Sequence, residues 1–238
     1  MSTKLSKRQR KLADKQQIKF NLELRSTQPI TDNQAKTFRY YNDGYHLSLL
    51  GCAGTGKTYI SLYLAVKEVL EGKTGKRKVV IIRTPQSSKE IGFLPGTEKQ
   101  KLEVYEAPYK AIFNELFGRG DAYEILKQKG ILEFSGTSFL RGTTIDDSVV
   151  VVDEVQNQKY QEIRTVLTRL GERSRIIICG DTKQDDLTSE RYHENSGIHD
   201  MLRVFDELDS VKQVEFVEDD IVRGEFVRDF IIAENRAL

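Results

Sequence analysis

The run GCAGTGKT, Gly51 to Thr58, constrains what this chain can fold into more than any other stretch. It fits G-x-x-x-x-G-K-[ST], a pattern that needs a strand before it and a helix after it. Both flanks are present. His46 to Leu50 (HLSLL) is a short apolar segment of strand type, and Ile60, Leu62, Tyr63, Leu64, Ala65, Val66 and Val69 supply the apolar face of a helix ending near Gly72. Gly51, Gly54 and Gly56 let the backbone curl so that N–H groups converge on phosphate oxygens, with Cys52, Ala53 and Thr55 completing the loop. The helix N-terminus adds a favourable dipole. Lys57 is placed to reach the β- and γ-phosphates of ATP, and the Thr58 hydroxyl to bind Mg²⁺. The competing reading, a glycine-rich turn that matches by chance, is the weaker with both flanks in place.

The 238 residues suffice for one α/β domain of ordinary size with short appendages. No apolar run reaches the roughly eighteen residues of a membrane span, and no apolar region follows the charged N-terminus as a secretory leader would require. Two cysteines, Cys52 and Cys179, make no disulfide framework and lead to an expectation of reduced thiols in the cytoplasm. The histidines, His46, His193 and His199, have no ligand spacing with them, so no structural zinc is expected. Net charge is only +1 but uneven. Met1 to Lys19 holds seven Lys/Arg against Asp14 alone, which leaves the arm at +6 and the rest at −5. Such an arm suits phosphate backbones through counterion release, or serves as a solvated tail. Residues 1–25 are therefore read as a basic arm and 26–238 as the folded domain.

Further β-branched runs follow the glycine loop: KVVIIRTP from Lys78, ILEF from Ile131, SVVVVDE from Ser148, RIIICGD from Arg175 and VKQVEFVE from Val211. Helical spacing fills the intervals over 98–117, 122–129, 159–170, 196–208 and 224–236. Pro108 is expected to interrupt the first of these. Alternating strands and helices predict a mostly parallel sheet with helices on both faces, and ligands at the carboxyl ends of its strands. The glycine loop, Asp153-Glu154 and Asp181 to Gln184 all fall at such ends.

An apolar strand ending in Asp-Glu downstream of such a loop reads as a Walker B element. Asp153 would hold Mg²⁺ and Glu154 would polarise the attacking water. The amide of Gln184 would contact the γ-phosphate and that water. A solvated strand end and a surface glutamine are the plainer alternatives.

With these residues in place the chain resembles the PhoH-family ATPases, RecA-like P-loop NTPases close to superfamily-one helicase cores. The resemblance runs from about Thr27 to Ala233. It rests on GCAGTGKT, IIRTP, IGFLPGTEKQK, SFLRGTTIDDSVVVVDEVQN, LTRLGERSRIIICGDTKQDDL, SGIHDMLRVF and DIVRGEFVRDFI. Cys52 stands where proline is usual and Val155 where alanine is usual, and neither change removes a polar group. The resemblance implies that Gln34 reads adenine as in helicase Q motifs. It implies that Arg83 faces nucleic acid, that Arg141 contacts either a nucleic-acid strand or phosphate, and that Arg223 reaches the γ-phosphate, of this subunit or a neighbour. It also implies a homo-oligomer, with a hexameric ring as the suspected form, and the compact length suits a phage-encoded or minimal bacterial member.

The leading expectation is an Mg²⁺-dependent ATPase coupled to RNA or single-stranded DNA, translocating or unwinding it. An ATP-driven switch for a protein partner is the alternative. A small-molecule kinase is disfavoured, because Asp-Glu-x-Gln points to a water nucleophile.

Overall fold

A computed structural model describes residues 22–83, 98–140, 142–181 and 197–237. The β-branched runs form six strands: β1 (His46–Gly51), β2 (Lys78–Ile82), β3 (Leu132–Ser135), β4 (Ser148–Val152), β5 (Arg175–Gly180) and β6 (Val211–Phe216). Their order in the sheet is β3-β2-β4-β5-β1-β6, and every neighbouring pair is parallel. The helices are α1 (Asp32–Asn42), α2 (Lys57–Glu71), α3 (Glu98–Phe117), α4 (Ala122–Gln128), α5 (Tyr160–Leu167), α6 (Ile198–Asp206) and α7 (Glu225–Ala237).

Successive residues of a strand point to opposite faces, and here that alternation divides one sheet between two cores. Leu47, Leu49, Val79, Ile81, Val149, Val151 and Ile177 pack on one side with residues of α2, α3 and α4. Leu50, Val80, Ile82, Val150, Val152, Ile176 and Ile178 pack on the other with Ile163 and Val166 of α5 and Met201 and Phe205 of α6. A strand buried on both faces must be apolar throughout, which is why four valines in succession make β4. The result is a RecA-like α/β fold. β5 lies between β1 and β4, so the ends of these three strands adjoin.

Three expectations change in detail. Pro108 does not interrupt α3, which is one continuous helix with the proline inside it. The carbonyl that loses its partner belongs to Val104, whose residue is 63% exposed, so water can satisfy it. Helix α5 stops at Leu167 rather than Leu170. The chain beyond it turns to pair with Ile145, whose N–H donates to the Arg169 carbonyl at 2.8 Å while the Gly171 N–H returns to the Ile145 carbonyl at 2.9 Å. Packing onto the domain begins inside the stretch assigned to the arm. Leu22 is buried, and the Arg25 N–H donates to the Leu116 carbonyl at 2.9 Å. Residues 1–21 lie outside the described residues.

The C-terminal helix α7 differs from the others in having no buried residue. Phe226 is 82% exposed and Phe230, one turn on, 56%.

Candidate active site

The glycine loop leaves β1 at Gly51, whose φ is +116°. A Cβ there would lie 2.0 Å from the Phe216 carbonyl oxygen on β6, so only glycine fits. The loop then enters α2 at Lys57, where unpaired N–H groups and the helix dipole favour an anion. The Lys57 ammonium donates to the carbonyls of Gly51 at 2.7 Å and Cys52 at 2.6 Å, so it lies over the loop's hollow. Burial draws its pKa below the usual lysine value, against the pull of Asp181 and other nearby groups.

The Thr58 hydroxyl donates to Oδ1 of Asp153 at 2.8 Å. This brings the end of β4 against the start of α2, across a gap of one strand in the sheet. Two oxygen donors so placed suit a hard divalent cation such as Mg²⁺. Oδ2 of Asp153 accepts from the Tyr109 hydroxyl of α3 at 2.8 Å. Burial and the Asp153 charge push the Tyr109 phenol well above its ordinary pKa, so it stays a donor.

Glu154 follows with φ +56°, the left-handed region that non-glycine residues seldom adopt. Gln156 fixes it there, its Nε2 donating to Oε2 of Glu154 at 2.6 Å. The other end of that amide accepts from the Asp181 N–H at 3.0 Å. The close approach depends on Gly180, where a Cβ would meet the Val155 side chain at 2.6 Å and Oε1 of Gln156 at 3.0 Å. Burial, and then the Asp153 charge, raise the pKa of the Glu154 carboxyl, while Arg83 and Gln156 draw it back. A raised carboxylate pKa makes a better proton acceptor.

Lys57, Thr58, Asp153, Glu154, Gln156 and Asp181 line one cavity of about 580 Å³, within the range of small-molecule sites. Gln34 and Arg223 line it too. The carbonyl oxygen of Gln34 accepts from the Ile30 N–H at 2.9 Å and its amide donates to the Thr55 carbonyl at 3.1 Å. One amide hydrogen remains for a ligand. The Val222 N–H donates to the Gly54 carbonyl at 3.0 Å, which seats Arg223 beside the loop of its own chain. Among the described residues it forms no ion pair. Asp220, three residues before it, accepts from Asn33 at 2.7 Å and the Val217 N–H at 3.0 Å.

Arg83 lies at the end of β2, over the Tyr105 ring at 5.5 Å, with Tyr109, Glu154 and Asp153 nearby. Its side chain is thus part of the wall behind the carboxylates. Gln184 and Arg141 lie outside the described residues. Sequence reasoning missed Tyr109 and the role of Gln156. The latter stood in plain view in the Asp-Glu-x-Gln string, two residues after the acid it holds, whereas nothing near Tyr109 signals its contact.

The family described as PhoH-like protein matches residues 26–234. A PhoH-like protein of Bacillus subtilis is 34% identical over 189 residues, covering 79% of this chain and 57% of that protein. The protein PhoH of Escherichia coli is 35% identical over 175 residues, covering 73% and 48%. The chain thus spans about half the length of the curated relatives it matches. Among solved structures, the large terminase of a thermophilic bacteriophage aligns with a TM-score of 0.49 at 14% identity, over 85% of this chain and 50% of that one. The loop, the paired acids and the run from Gln34 to Arg223 all fall inside the matched region, and the chain belongs to the PhoH family.

Proposed function

We propose that this protein is an Mg²⁺-dependent ATPase that acts on nucleic acid. The observation that carries the reading is the convergence of Lys57, Thr58, Asp153 and Glu154 on one cavity, with Thr58 and Asp153 in direct hydrogen bond.

The phosphates of ATP would lie on the N–H groups of the loop and the start of α2. Lys57 would leave the carbonyls of Gly51 and Cys52 for the terminal phosphate. Thr58 and Asp153 would hold Mg²⁺, which when bound neutralises charge on the phosphate oxygens. Gln156 occupies one oxygen of Glu154, so the other is the free acceptor for a proton from the attacking water. Arg223 would add positive charge at the phosphate end of the cavity, as an arginine finger does. Gln34 would tie α1 to the loop and spend its remaining N–H on the base. Gln184, outside the described residues, would complete the contact with the γ-phosphate.

Coupling to nucleic acid is supported by the +6 arm over residues 1–19. Arg83 and Arg141 are the proposed contacts beyond the arm. Arg83 is suited to linking a bound strand to hydrolysis, because it already touches the wall behind Asp153 and Glu154. We infer self-association as well, in a ring. Helix α7 exposes Phe226 and Phe230 close to Arg223. Among the described residues no helix is long and apolar enough to cross a membrane. Cys52 and Cys179 are buried and form no disulfide among the described residues, which suits the reducing cytoplasm.

Phosphate release measured with and without poly-U or single-stranded DNA tests the reading. We expect Mg²⁺-dependent release that rises when the polymer is added. Release indifferent to both polymers would replace the motor with a nucleotide switch, and transfer to a metabolite would replace it with a kinase.

A further inference from the structure

Asp153 sits at the end of β4, where two freely turning side-chain bonds would let its carboxylate present one oxygen, the other or both to a cation. In this structure both oxygens are committed. Thr58 donates to Oδ1 and Tyr109 to Oδ2, each at 2.8 Å. Asp153 is only 5% exposed, so water has little access to replace either partner.

Tyr109 is well placed to hold its hydroxyl still. It is fully buried, and its ring lies tilted against Phe134 of β3 with centroids 5.5 Å apart. Arg83 braces it from the end of β2 and lies in turn over Tyr105, one turn earlier on α3. The hydroxyl therefore belongs to a frame built from β2, β3 and α3, and the carboxylate is the part it steers.

Resting on the assignment of Thr58 and Asp153 as the Mg²⁺ site, we propose that Tyr109 is a positioning residue for the cation, which fixes Asp153 as a one-oxygen ligand. Mg²⁺ accepts only near-octahedral geometry and is commonly held through single carboxylate oxygens with water and phosphate. With Oδ2 occupied by the Tyr109 hydroxyl, Oδ1 alone faces the Thr58 side. Groups that orient a ligand in this way typically change metal affinity by about 10- to 100-fold when removed.

The test is Tyr109→Phe, which keeps the ring and its packing and removes one oxygen. A fluorescent ADP analogue is titrated into the wild type and the variant, each with EDTA and with Mg²⁺. Tyr109→Phe should bind the metal-free analogue as the wild type does, and should lose about 10- to 100-fold of the tightening that Mg²⁺ confers. In an Asp153→Asn background the same change should make no further difference, since its effect runs through that carboxylate. Full Mg²⁺ tightening in Tyr109→Phe overturns the role of Tyr109 and leaves the metal site standing. An equal loss in the Asp153→Asn background overturns it too, by showing that the hydroxyl acts elsewhere. A wild-type affinity that ignores Mg²⁺ overturns the metal-site reading and this proposal together.

Discussion

Gln156→Leu is the most informative change to the catalytic wall. The side chain is 2% exposed and bridges two strand ends, donating to Glu154 at 2.6 Å and accepting from the Asp181 N–H at 3.0 Å. Leucine has similar size but neither function. A hydrogen bond to a charged group contributes about 1.5–3 kcal/mol, and an orphaned buried N–H costs about 1–3 kcal/mol. The first loss falls on Glu154 in its left-handed conformation, where Gln156 is the group that aims its carboxylate. If that energy is used to place the base, kcat falls by roughly 10- to 150-fold, since each 1.36 kcal/mol is a factor of ten. The second loss falls on stability, and in a chain of this size about 2–4 °C of Tm accompanies each kcal/mol. Among the described residues the hydrogen bonds of the Gln156 side chain go to Glu154 and Asp181 and none to the loop that takes the phosphates, so KM for ATP should hold. Steady-state phosphate release and a thermal melt read the two effects separately. The reasoning fails if KM rises while kcat stays within about twofold of wild type, because that pattern marks a binding group rather than one that positions the base.

Other outcomes follow from the same geometry. Lys57→Ala should abolish binding of a fluorescent nucleotide analogue, and full ATPase activity in that variant would remove the loop from the account. Deleting residues 1–19 takes away a charge of +6, so the slope of nucleic-acid affinity against salt should flatten; an unchanged slope would make the arm a solvated tail. His46 accepts from the Ile176 N–H through Nδ1 at 3.1 Å, which requires the neutral ring. Burial, with Arg175 and Lys76 nearby, holds its pKa below the ordinary 6.5. Its folded value is thus depressed, so its contribution to stability is present above 6.5 and is lost as pH falls below it. Tm should therefore decline on acidification, and His46→Phe should flatten that decline whatever it does to the absolute value.

The sequence made the framework plain where burial forces composition. A parallel strand covered on both faces admits little but β-branched and aliphatic residues, so β2, β4 and β5 announce themselves. The loop is legible for a related reason. Gly51 meets the Phe216 carbonyl so closely that no side chain fits, and Lys57 and Thr58 follow at fixed spacing. What stayed hidden depends on long-range docking. Tyr109 reaches Asp153 across 44 residues of sequence, and no periodicity in α3 reports that contact. Pro108 misleads because the helix tolerates the lost bond where the residue that loses it, Val104, is open to water. Arg223 is readable as a late arginine, but its seat beside Gly54 of its own chain comes from one backbone hydrogen bond to Val222.

The central claim is that water attacks ATP in this cavity with Glu154 as the base. It is tested most directly by Glu154→Gln, an isosteric change that keeps the amide of Gln156 a partner and removes the proton acceptor. Phosphate release and nucleotide binding are measured side by side, with Mg²⁺ present. Nucleotide affinity should stay at the wild-type value while release falls by about 100-fold or more, the lower end of the roughly 10²- to 10⁴-fold that a positioned base supplies. Release at the wild-type rate from Glu154→Gln would contradict it.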